Sequence, residues 1–277
     1  MAGRIPRVYR AEAVVLRQRR LGEADRIVTL FTPQLGKIDA VAKGIRKQTS
    51  RKAGHLEQLS LTSLLLASGK NLDIITQGET IEGFMPLRQD LERLARGLYV
   101  AELVDRFSEL RAENYPVFRL LVETLQRLSS TVAVELAVRY FELHLLSHLG
   151  YRPELGRCVA CRADLEPVEN SFSAALGGVV CPECRYSNVG LWRLSVNALK
   201  VLRLLEHGSF EDAERLRLTP ELSMELELLL QGYVRHVLER NPRSLEFVDA
   251  VRRTHDSRLK PALALVAESA AAYEPGN

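Results

Sequence analysis

The sequence predicts an α+β protein: a small five-stranded β-barrel at the N-terminus, then an α-helical body interrupted by a cysteine-bearing insertion. Three observations carry that expectation. Residues 7–85 read as short β-forming runs divided by turn residues, apolar residues recur at helical spacing beyond Pro86, and all four cysteines fall in two CxxC pairs. A chain of 277 residues is long enough for about two domains and buries its own core. The expected boundaries are 1–85 for the barrel, 86–253 for the helical body with its insertion at about 151–193, and 254–277 for a flexible tail.

The strands come first. Val8 to Arg17 is rich in Val, Leu and Tyr, and Arg26-Ile27-Val28-Thr29-Leu30-Phe31 is a β-former run. Thr32-Pro33-Gln34-Leu35-Gly36 supplies a turn, after which Lys37 to Lys43 alternates polar and apolar residues with period two. Leu59 to Ala67 and Leu72 to Phe84 add two more strands around Ser68-Gly69-Lys70-Asn71. Five short strands in this span fit a small barrel, which removes sheet edges. Periodicity alone leaves an OB-type and an SH3-like barrel both open.

Helical spacing follows. Leu87, Leu91, Leu94 and Leu98 repeat on one face, and Val117, Leu120, Leu121, Thr124, Leu125 and Leu128 form another stripe after Pro116. Val132 to Leu149 reads as a helix ending at Gly150, and Thr219-Pro220 opens a last one that runs toward Asn241-Pro242.

Cys158-x-x-Cys161 and Cys181-x-x-Cys184 stand nineteen residues apart. That is the spacing of two knuckles offering four thiolates to one tetrahedral zinc ion, with Gly177-Gly178 suited to the ribbon turn between them. Iron takes the same ligands, and a redox role does not need two matched pairs. Four thiolates fill the coordination sphere and leave no position for water, so the site is expected to be structural, lending folding free energy to a loop-rich insertion. Cys181-Pro182-Glu183-Cys184 resembles half of a nucleobase-deaminase signature, whose other half is an upstream His-x-Glu; that half is expected to be missing and the deaminase reading to fail.

Charge is uneven. Residues 1–80 hold 14 Lys or Arg against 7 Asp or Glu, a local charge of +7, whereas the rest carries −4. Arg17, Arg19 and Arg20 form one cluster, and Lys43, Arg46, Lys47, Arg51 and Lys52 form another within ten residues free of acid. Two such clusters on one module point to nucleic-acid binding, because Lys and Arg displace condensed counterions from phosphates. Aromatic residues are scarce here, with Tyr9 and Phe31 alone before Phe84, so charge rather than base stacking is expected to dominate. About four phosphate contacts on a single strand would give a log–log salt slope near −3. No apolar run is long enough to cross a membrane, no signal-peptide core follows the basic start, and the chain reads as cytosolic.

The run Gly22-Glu23-Ala24-Asp25-Arg26-Ile27-Val28-Thr29-Leu30-Phe31-Thr32-Pro33, then Gly36-Lys37 and Val41-Ala42-Lys43-Gly44-Ile45-Arg46-Lys47, resembles the N-terminal signature of the RecO family of DNA-repair mediators. The helical middle and the late cysteine pairs fit the same family. The resemblance implies an OB-fold followed by a helical domain with a zinc module. It also implies a non-enzymatic protein that binds single- and double-stranded DNA and anneals complementary strands. Partnership with RecR, and loading of RecA onto DNA coated by single-strand-binding protein, are implied too. Carried over, the basic positions at the signature are Arg26, Lys37, Lys43, Arg46 and Lys47, with Arg51 and Lys52 downstream. Arg243-Ser244 resembles a short basic-Ser motif of the family with no assigned role.

The alternative from the same features is a zinc-ribbon factor of transcription or RNA processing built on an OB barrel. A nucleotide-using enzyme or hydrolase would need a GxxxxGK[ST] loop or a GxSxG elbow, and neither motif is present.

Overall fold

A computed structural model describes residues 7–46, 53–188 and 190–254. Five strands, β1 (Val8–Leu21), β2 (Asp25–Thr32), β3 (Gly36–Ala42), β4 (Leu61–Ala67) and β5 (Asp73–Glu82), close a barrel in the order β1-β2-β3-β5-β4. Two antiparallel hairpins make β1-β2-β3, β5 joins β3 in parallel at Ala40↔Asp73 and Val41↔Ile74, and β4 returns antiparallel to β1. This is the Greek-key arrangement of an OB barrel, which decides between the two barrels that periodicity left open.

A register shift between Val15 and Arg17 bends the long β1 so that it serves two cores. Ala11, Ala13 and Val15 point inside with Val28, Leu30 and Ile38. Val14, Leu16 and Phe31 point outward and join the core of the helical body, where Phe31 meets Phe118 at 6.4 Å between ring centroids. Each such fully buried side chain contributes about 1.5–3 kcal/mol, so barrel and body are held as one unit.

The β2–β3 turn positions that contact. Thr32 Oγ1 accepts from Leu35 N at 3.0 Å and donates to the Gly36 carbonyl at 3.1 Å. Gly36 has φ +59°, and a Cβ there would lie 1.8 Å from the Ala112 carbonyl oxygen. Only glycine lets the turn sit against the helical body.

The body comprises α1 (Met85–Gln89), α2 (Leu91–Phe107), α3 (Tyr115–Ser130) and α4 (Val134–His148), then the insertion. After it come α5 (Val196–His207), α6 (Phe210–Glu214), α7 (Pro220–Leu238) and a helical segment, α8, over residues 243–254. The leucine stripe from Leu87 to Leu98 is broken by Asp90, whose side chain accepts from the N–H groups of Glu92 and Arg93 and starts α2 afresh. Asn114, Ser195 and Thr219 cap α3, α5 and α7 in the same way. The insertion folds as a three-stranded sheet of β6 (Asn170–Ser173), β7 (Gly178–Val180) and β8 (Leu191–Leu194), in the order β7-β6-β8. Trp192 of β8 stacks near Phe172 of β6 at 6.1 Å.

A polar network crosses this apolar core. Tyr99 donates to Glu142 Oε1 at 2.6 Å, Arg139 pairs with the other oxygen at 3.2 Å, and Glu142 is fully buried. Arg96 pairs with Glu135, and Arg252 of α8 pairs with Glu227 at 2.9 Å. No helix among the described residues is long and apolar enough to cross a membrane. The expected tail over 254–277 lies, apart from Thr254 at the end of α8, outside the described residues.

Candidate metal centre and basic barrel face

Sequence puts the two cysteine pairs in knuckles; the fold brings the knuckles together. Val159 N donates to the Val179 carbonyl and Glu154 N to the Gly177 carbonyl, so the first knuckle is laced to the β6–β7 hairpin. Gly177 adopts φ +69°, and a Cβ on Gly178 would come within 2.6 Å of the Glu154 carbonyl oxygen, so the hairpin needs both glycines. Arg162 N closes the first knuckle onto the Cys158 carbonyl, and Cys184 N closes the second onto the Cys181 carbonyl.

The four Sγ atoms of Cys158, Cys161, Cys181 and Cys184 all lie within 4.8 Å of one another. Cys161 and Cys181 are 3.8 Å apart, matching the roughly 3.8 Å edge of a tetrahedron with Zn–S bonds of about 2.3 Å. Burial pushes the Cys158 thiol up, but backbone N–H groups from Cys181, Cys161 and Ala160 outweigh it and hold the group at about 6. Cys184 is pushed up to about 12 by its hydrogen bonds to the Cys181 and Cys161 sulfurs. Four sulfurs this close resist joint ionisation unless a cation sits among them. Donor type, number and geometry therefore all fit a metal ion.

Contrary to the expectation for the deaminase signature, a His-x-Glu triplet does occur, as His55-Leu56-Glu57. It lies beside the barrel, with His55 Nδ1 engaged by Thr80 Oγ1 at 3.0 Å, and takes no part in the cysteine cluster.

The basic residues divide into two groups. Arg17 pairs with Asp105 of α2 at 2.6 Å, and Lys37 pairs with the same carboxylate at 3.3 Å while donating to its backbone carbonyl. These two cations fasten the barrel to the body. The second group gathers at one end of the barrel. Arg20 stands opposite Arg26, which stands opposite Ala42, so the end of β1, the start of β2 and the end of β3 lie side by side. The Lys43–Arg46 turn is pinned there by Gly44 N to Asp25 Oδ1 at 2.7 Å and by Arg46 N to the Ala24 carbonyl at 3.1 Å. Arg20, Lys43 and Arg46 are exposed and form no ion pair among the described residues. Arg46 donates to the Glu23 carbonyl, Arg26 donates to Gln18, and Arg19 pairs with Asp39 at 3.1 Å. Lys47, Arg51 and Lys52 fall outside the described residues.

Sequence reading missed the acids that sort these groups. Asp105 claims Arg17 and Lys37 from α2. Buried Asp73 accepts from Tyr9 Oη at 2.7 Å and Arg111 at 2.7 Å where β5 closes on β3. Glu102 accepts the backbone N–H groups of Arg243 and Ser244, so that part of the motif without a role starts α8 against α2.

A closed OB barrel with a basic end, sharing its outer core with a helical body that carries a four-cysteine cluster able to hold a metal ion, defines an α+β class of OB-barrel protein. Comparison with known proteins narrows the class. The family model described as "Recombination protein O N terminal" matches residues 7–84, and "Recombination protein O C terminal" matches residues 88–246. The chain is 47% identical over 247 residues to the DNA repair protein RecO of Roseiflexus sp. (strain RS-1), covering 89% of this chain and 87% of that one. It is 37% identical over 248 residues to the DNA repair protein RecO of Symbiobacterium thermophilum, covering 88% and 98%. The chain belongs to the RecO family of DNA-repair proteins.

Proposed function

We propose that this chain is a non-enzymatic DNA-repair mediator that binds single- and double-stranded DNA through the basic end of its barrel and anneals complementary strands. With RecR, it helps load RecA onto DNA coated by single-strand-binding protein. The observation that carries the DNA reading is the convergence of Arg20, Lys43 and Arg46 at one barrel end, exposed and without carboxylate partners among the described residues. Arg19 and Arg26 flank them, and Lys47, Arg51 and Lys52 follow in the chain. Arg17 and Lys37 serve instead to orient the barrel on the body.

Such a surface contacts phosphates and leaves base edges free. Cations between two strands screen their repulsion, and base pairing then supplies selectivity. Zinc held by Cys158, Cys161, Cys181 and Cys184 keeps the insertion folded and takes no part in annealing.

Strand annealing by the purified chain, followed across salt concentrations with metal content measured alongside, tests the reading. About one zinc per chain and annealing that weakens as salt rises support it. Absence of annealing by the folded, metal-loaded protein refutes it.

A further inference from the structure

The barrel and the helical body enclose a cleft of about 720 Å³. Arg17 and Lys37 line its barrel wall, Glu102, Asp105 and Arg106 its α2 wall, and Arg240 and Arg243 its C-terminal rim. Two further cavities adjoin it: one of about 270 Å³ shares Arg106 and Arg240, and one of about 490 Å³ shares Arg106. They open the cleft outward, but Glu239 lines the smaller and Glu109 and Glu113 the larger, so the excess of cations is confined to the main cleft and its Arg240–Arg243 rim.

Five cations face two carboxylates in the main cleft, and both carboxylates are already engaged. Asp105 is held by Arg17 and Lys37. Glu102 accepts Arg243 N at 3.1 Å, Ser244 N at 2.7 Å and Arg106 Nη2 at 3.2 Å. Burial pushes Glu102 up, but these donors prevail and keep it below the ordinary carboxylate range, so its charge is spent on α8. The guanidinium groups of Arg240 and Arg243 are exposed and have no carboxylate partner among the described residues. Glu102 fixes the backbone of Arg243 and thereby presents that side chain at the rim without neutralising it.

We propose that this seam is a second nucleic-acid subsite, which takes a separate stretch of single-strand backbone along Arg240 and Arg243. The inference rests on the DNA-binding reading above and deepens it. Two free guanidinium forks on the open, charged rim of the main cleft suit backbone phosphates better than an apolar ligand. The groove is also continuous with β1. Arg17 in its wall is three residues from Arg20 at the barrel end, roughly 10 Å along an extended strand. A chain with two phosphate tracks this near each other holds two strands, or two parts of one, within pairing reach.

The test compares the full native chain with Arg240→Glu/Arg243→Glu, probing both with a fluorescent thymidine oligonucleotide and with complementary strands. The variant is expected to keep its circular dichroism and melting midpoint. Its log affinity against log salt becomes shallower by about 1.4, and its annealing slows at least about tenfold. Arg240→Ala, an exposed truncation, backs up the double variant and is expected to lose about 0.7 of slope. DNA binding by the native chain with no change in either variant overturns the subsite and leaves the barrel reading standing. Failure of the native chain to bind DNA overturns both. An oligoglutamate peptide that binds the native chain and not the variant, while the DNA slope is unchanged, assigns the groove to acidic protein segments and also overturns the proposal.

Discussion

At the scale of single residues, buried carboxylates decide which cations are free. Asp105 is 14% exposed and holds Arg17 and Lys37 together. Replacing it, Asp105→Ala, leaves both cations facing each other at the seam and is expected to destabilise the chain by about 1–2 kcal/mol, read from the urea midpoint. Glu142 behaves differently. Burial pushes its carboxyl up, Arg139 and Tyr99 pull it back, and the balance leaves it at about 7 against an ordinary 4.5. The folded chain therefore binds a proton between pH 4.5 and about 7 that the unfolded chain has released. Stability falls as pH rises through that window and levels off above it. Glu142→Gln should flatten the dependence of melting midpoint on pH over the same window; an unchanged slope would show that Glu142 ionises as an ordinary carboxylate. Cysteine spacing was legible here because metal geometry ties ligand to sequence position. Pairings such as Arg17 with Asp105 span 88 residues of chain, and nothing local in the sequence encodes them.

Among elements, turns and knuckles matter most. All five strands were readable because alternation, β-branched runs and the Thr32-to-Gly36 turn agree with one another. The bulge in β1 was not, since a register shift at Val15 leaves no mark in composition. The α1–α2 break was hidden because a leucine stripe continues through Asp90, whose capping role depends on the backbone it meets. Gly178 gives the sharpest test of the module. A methyl there would meet the Glu154 carbonyl oxygen and Val159 Cγ1, each at 2.6 Å. Gly178→Ala is expected to cost about 2 kcal/mol or more and to loosen metal retention, seen as faster transfer to a chromogenic chelator. Trp192, the sole tryptophan, sits in the sheet whose strand β7 ends just before the second knuckle. Chelation of the wild-type chain should shift its fluorescence; a spectrum indifferent to metal removal would mean that the sheet stands without the ion.

For the whole molecule, barrel and helical body form one unit that presents a basic end. Val14, Leu16 and Phe31 belong to the helical core as much as to the barrel, so the basic end is fixed in orientation relative to the cysteine module and α8. The α+β class and the order of barrel, helices and insertion could be read from changes of periodicity along the chain. The charge asymmetry could be read as well, but not its division, because Arg17 and Lys37 look identical in sequence to Arg20 and Lys43 until α2 is seen beside them. The most direct measurement is the salt dependence of affinity for a single-stranded oligonucleotide, in the native chain and in Arg20→Glu/Lys43→Glu/Arg46→Glu. The native log–log slope is expected to be about −3 or steeper and the variant's shallower by about 2, with melting unchanged. A flat native slope, or a folded triple variant that binds as the native chain does, would contradict the assignment of the barrel end to DNA.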